Sequence, residues 1–69
     1  MTDKELRKQI RILKAIGQID SIGEVAEMID ISVGSFYNWI NGYYNLGQNK
    51  KRLLTDIVND LSIQNETNS

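Results

Sequence analysis

The side chains best suited to recognition or chemistry cluster in residues 32–52, and their types favour recognition. Ser32, Tyr37, Asn38, Asn41, Tyr43 and Tyr44 are uncharged hydrogen-bonding groups, and Lys50, Lys51 and Arg52 are three consecutive cations. An asparagine amide holds a donor and an acceptor in one plane and pairs with a complementary planar edge, while a hydroxyl or a cation suits an anionic oxygen. Bond-making chemistry has few tools here. The chain has no cysteine and no histidine, which removes thiolate nucleophiles, disulfides, Cys/His zinc sites and imidazole bases. Its acidic residues show no calcium-loop spacing. The expectation is a protein that is not an enzyme and uses no metal and no cofactor.

The elements that position these groups must come from a short chain. Sixty-nine residues make one small domain, which buries only about 60% of its unfolded surface and leaves no room for a catalytic domain with its own pocket. A hydrophobic content of 41% argues for a packed fold over disorder. No apolar run approaches the ~20 residues that span a bilayer, and the opening Met1-Thr2-Asp3-Lys4-Glu5 does not resemble a signal peptide. A cytoplasmic protein with no membrane association is expected. The net charge of −1 hides a segregation. Residues 1–19 hold Lys4, Arg7, Lys8, Arg11 and Lys14, residues 20–49 hold only Asp20, Glu24, Glu27 and Asp30, and the remaining cations are Lys50, Lys51 and Arg52.

The chain lacks proline, and its apolar spacing is helical throughout. A first helix is expected from about Asp3 to Ile16, with Thr2 and Glu5 at capping-box spacing, an apolar set of Leu6, Ile10, Leu13 and Ile16, and Gly17 closing it. Its Lys4, Arg7, Lys8, Arg11 and Lys14 form a basic stripe. A second helix starts at another capping box, Ser21 with Glu24, buries Ile22, Val25, Ala26 and Ile29, and ends near Asp30, a residue that tolerates left-handed backbone. Ser32 caps a third helix, Val33 to Asn41, with Phe36, Trp39 and Ile40 inward, Gly34, Tyr37, Asn38 and Asn41 outward, and Gly42 at its end. After a loop at 43–49, a fourth helix from Lys50 to Leu61 carries Leu53, Leu54, Ile57, Val58 and Leu61. The expected fold is all-α: a compact bundle of four short helices in one domain, residues 1–63, followed by a disordered tail at 64–69.

Residues 21–42, SIGEVAEMIDISVGSFYNWING, describe two short helices joined by a tight turn, with the small Ala26 where they cross. This segment, the Asn41-Gly42 helix end and the amphipathic helix after it together resemble the helix-turn-helix of phage Cro and repressor proteins, the Xre-type, lambda repressor-like family. Asp30 stands in place of that family's turn glycine. The resemblance implies a small sequence-specific DNA-binding transcriptional regulator of phage or prophage origin, with helix 33–41 lying in the major groove of a double-stranded operator. By position, Val33, Gly34, Tyr37 and Asn38 would read bases. Asn38 suits adenine, Val33 a thymine methyl, and Gly34 close approach. Ser32, Asn41, Tyr43, Tyr44, Lys50, Lys51 and Arg52 would contact phosphates. Cations at a helix N-terminus are not placed there for the helix dipole, so the last three point to an external anion.

The family's habit of binding palindromic half-sites implies a homodimer, with Leu53, Ile57, Leu61 and Ile63 as its surface. An excision or transposition accessory factor is another reading of the same DNA-binding frame. An alternative from a different class is a protein-binding module on a helix-turn-helix scaffold, such as a phage-encoded inhibitor of a host protein, motivated by the acidic middle and the tyrosines. Salt dependence separates the two classes, because phosphate contacts weaken steeply with salt.

Overall fold

The computed structural model describes residues 1–68, with side chains through Ile63. It is all-helical: α1 (Asp3–Ala15), α2 (Ile22–Met28), α3 (Val33–Ile40) and α4 (Gln48–Asn68). α1 packs against α4 and α2, and α2 packs against α3. No strand occurs among the described residues, and no helix is long and apolar enough to cross a membrane.

Local chemistry sets the boundaries. At α1 the Thr2 hydroxyl accepts the Glu5 N–H, and the Glu5 carboxylate accepts the Thr2 N–H, each at 3.2 Å. The hydrogen bonds that the carboxylate accepts from the Thr2 N–H and the Thr2 hydroxyl hold the Glu5 carboxyl below its ordinary pKa. Ser32 caps α3 by accepting the Ser35 N–H. The expected capping box at α2 does not form: Ser21 makes no side-chain cap bond, and the Glu24 carboxylate instead accepts the Asp20 N–H at 2.9 Å. Glu24 thus satisfies a backbone donor one residue further upstream.

The first three helices end alike. Gly17 and Gly42 adopt φ of 80° and 88°, and Asp30 reaches 58°. In each case the following residue's N–H returns to a carbonyl five residues back: Gln18 to Leu13, Ile31 to Ala26, Tyr43 to Asn38. These are Schellman ends, which favour glycine because an L side chain strains the left-handed backbone. Asp30 bears that strain in the tight turn between α2 and α3.

The core takes Leu6, Ile10 and Leu13 from α1, Val25, Ala26 and Ile29 from the second segment, Phe36, Trp39 and Ile40 from α3, and Leu54 and Val58 from α4. Phe36 and Trp39 stack at 5.2 Å between ring centroids. Two expectations need correction. Ile16 is exposed: it falls past the end of α1, rotated off the stripe of Leu6, Ile10 and Leu13. Its place in the core is taken by Ile19, and Leu46 from the second loop is also buried. α4 begins two residues before the expected Lys50 and continues past Leu61. The expected tail at 64–69 concerns residues whose side chains, and at Ser69 the whole residue, lie outside the described part.

Candidate functional site

The outward strip of α3 follows from its inward one. With Phe36, Trp39 and Ile40 buried, helical geometry turns Gly34, Tyr37, Asn38 and Asn41 to solvent, with Val33 and Ser35 at the margins. The four expected base readers, Val33, Gly34, Tyr37 and Asn38, therefore share one exposed face. Val33 is 43% exposed and is seated by Gly23: a Cβ on that glycine would lie 3.2 Å from Val33 Cγ1. The missing side chain at Gly23 lets the start of α3 approach α2 closely.

Gly34 is different. A Cβ there would meet nothing within 4 Å, and its backbone is not left-handed. Neither turn geometry nor packing within the chain requires a glycine, although glycine in a helix costs roughly 0.5–1 kcal/mol relative to alanine. The bare helix surface at Gly34 is directed outward.

The expected phosphate-contacting set separates into engaged and free members. Lys50 Nζ donates to the Ile29 carbonyl at 2.7 Å, at the C-terminus of α2. Lys51 forms an ion pair with Asp3 at 3.0 Å. For these two cations the chain supplies its own carbonyl and carboxylate, partners that the dipole argument for an external anion left out. Arg52 remains exposed and makes no hydrogen bond or ion pair among the described residues. The Ser32 hydroxyl is engaged in its cap, and the Tyr44 hydroxyl donates to the Ser35 carbonyl at 2.8 Å. Tyr43 is 77% exposed, and Asn41 is exposed.

Three residues hold positional roles that their sequence neighbourhood does not signal: Arg7 and Arg11, expected only as members of a basic stripe that could flank the phosphate contacts, and Asp3. Arg7 Nε donates to the Trp39 carbonyl at 2.7 Å, and its Nη2 donates to Tyr44 O at 2.8 Å and to Asn45 Oδ1 at 3.3 Å. Its guanidinium also lies 5.1 Å from the centroid of the Trp39 ring. Arg11 donates to the Ile40 carbonyl at 3.2 Å. These two arginines cap the C-terminus of α3, where the helix dipole is negative. Asp3 is nearly buried and holds three partners: the Trp39 indole N–H and the Leu46 N–H, both at 2.9 Å, and Lys51. Burial alone pushes its carboxyl up. The hydrogen bonds from Trp39, Leu46 and Lys51, with the Lys51 charge, outweigh burial and bring it down to about 2. Each buried polar side-chain atom among the described residues has a partner.

Two further surfaces stand apart from the α3 strip. Lys4, Arg7, Lys8 and Arg11 rim a shallow groove of about 430 Å³ whose apolar lining is Ile12, Ala15 and Ile40. On α4 the expected dimer surface divides. Leu53 is 48% exposed, while Ile57 and Leu61 are half-buried against the core. Ile63 is exposed, but it stands two residues after Leu61 and so on another side of the helix. Among the described residues no group of three or more acidic side chains is placed to hold a metal ion.

Compared with protein-family models, with curated proteins and with solved structures, the chain finds no match.

Proposed function

We propose that this protein is a small DNA-binding regulator of the helix-turn-helix type, with α2 and α3 as the two helices of the motif and α3 lying in the major groove. The observation that carries this reading is the outward strip of α3. It is exposed, uncharged and rich in amide and hydroxyl groups, and it contains at Gly34 a bare patch that the fold does not require. A helix in the major groove needs such a surface: planar hydrogen-bonding groups for base edges and room for close approach. Arg7 and Arg11 fix the far end of the same helix against α1, which suits a recognition element that must be held rigidly.

Phosphate contacts fall to the cations not engaged inside the fold. Near the start of α4 this leaves Arg52, with Asn41 and Tyr43 as neutral donors. A homodimer through Leu53, flanked by Ile57 and Leu61, is the proposed form, and successive major grooves require its two copies of α3 to stand about 34–36 Å apart. The test is retention of genomic DNA fragments at low and at moderate salt, followed by sequencing. Enrichment of a palindromic site with salt-sensitive retention supports the reading, and salt-insensitive or absent retention refutes it.

A second reading is docking on a protein. The groove along α1 favours it, because cations around an apolar floor suit an acidic, amphipathic segment. The engagement of Lys50 and Lys51 within the fold also leaves fewer cations for DNA.

A further inference from the structure

The residues of α3 also restrict which bases they can read, a step that rests on the DNA-binding reading above. In the major groove guanine is read chiefly by arginine or lysine donating to O6 and N7, and cytosine by a carboxylate accepting from N4. The strip has neither kind of group. From Ile31 to Asn49 the sequence contains no Lys, Arg, Asp or Glu. Of the cations outside that segment, Arg7 and Arg11 are held on carbonyls at the C-terminal end of α3 and Lys50 on the Ile29 carbonyl, while Arg52 is assigned above to phosphate.

What remains selects A·T pairs. The Asn38 amide matches the N6 donor and N7 acceptor of adenine. Val33, 43% exposed with its two methyl groups beside Gly23, offers apolar contact to the 5-methyl group of thymine. Gly34 precedes Asn38 by one helical turn and presents no side chain, so bases facing this turn can come close to the helix backbone. We infer that the duplex bound by α3 is specified by A·T pairs, with adenine on Asn38 and a thymine methyl on Val33.

The experiment uses the full chain and a random-sequence duplex library, selected at low salt and sequenced. The best duplex is then remade with uracil for thymine, which removes the methyl group, or with 7-deazaadenine for adenine, which removes the N7 acceptor. The expected result is a half-site of conserved A·T pairs. At the Asn38 position 7-deazaadenine, which removes one of the two bonds of a bidentate contact, weakens binding about five- to tenfold. The same substitution leaves Asn38→Ala, whose affinity is already reduced, unchanged, and uracil weakens the wild type at the Val33 position. Conserved G·C pairs in the half-site, or affinities indifferent to both base analogues, would overturn the inference. Salt-sensitive retention without any enriched sequence overturns it too but leaves DNA binding standing. Absence of salt-sensitive retention removes both.

Discussion

The Asp3 carboxylate accepts the indole N–H of Trp39 at 2.9 Å, joining the first residue of α1 to the buried face of α3. The same oxygen accepts the Leu46 N–H, and the other oxygen pairs with Lys51 of α4. One carboxylate thus ties α1 to α3, the loop behind it and the last helix. Its pKa of about 2, against 3.8 in the free side chain, makes the folded state acid-sensitive in a defined window. A group with a depressed folded pKa gives stability that is fully present above its unfolded pKa and is lost as pH falls toward the folded value. Stability should fall by roughly 2 kcal/mol between about pH 4 and pH 2 from this group alone. Urea unfolding across that range measures it. Asp3→Asn should be less stable at neutral pH and should lose most of this slope, whereas an unchanged slope would remove Asp3 from the role.

Arg7 tests the anchoring of the α3 C-terminus. Arg7→Ala removes three hydrogen bonds and the contact with the Trp39 ring, and should destabilise the fold by roughly 2–4 kcal/mol. Arg7→Lys keeps the charge but not the planar fork, so it should recover less than half of the loss. Thermal or urea unfolding of the pair decides this; full rescue by lysine would mean that charge alone matters at this site.

Lys51 and Arg52, neighbours in the first turns of α4, should behave differently from one another. Lys51→Ala breaks the ion pair with Asp3 and should reduce stability by about 1 kcal/mol, with little change in the salt dependence of DNA binding. Arg52→Ala should leave stability nearly unchanged. It should weaken all DNA sequences alike and lower the salt slope by about one unit. The reverse pattern, with Lys51 setting the slope, would return Lys51 to the DNA surface.

Gly34→Ala separates fold from function at one position. The added methyl meets nothing inside the chain, so stability should rise by about 0.5–1 kcal/mol. Duplex binding should weaken, because the methyl would stand between the helix and the bases. A variant that is both more stable and fully active would show that Gly34 faces no ligand.

Much of the fold was legible in the sequence because its signals are local. The Thr2–Glu5 box, the Ser32 cap, and the ends at Gly17, Asp30 and Gly42 all rest on residues within five positions of one another. The spacing of Phe36, Trp39 and Ile40 marked the buried side of α3, and thereby the exposed one. What was not legible depends on long-range partners. Nothing near Asp3 in the sequence signals a link to Trp39, Leu46 and Lys51, which lie between 36 and 48 residues away, and Arg7 finds its carbonyls more than 30 residues downstream. The dipole argument for Lys50 and Lys51 was sound as local physics. It lacked the knowledge that Ile29 and Asp3 would arrive beside them. Ser21 and Glu24 show the opposite failure, a local motif displaced when Glu24 found the Asp20 N–H instead.

Locating the surface that responds to duplex DNA is the most direct test of the proposed function. Titrating a mixed-sequence duplex into the isotope-labelled intact chain, and following backbone amide signals by NMR, locates that surface. DNA binding through α3 predicts salt-sensitive shifts concentrated at Val33, Gly34, Tyr37, Asn38 and Asn41, with weaker ones near Arg52. Unmoved α3 signals, or shifts confined to the groove of Lys4, Lys8 and Arg11, would contradict it.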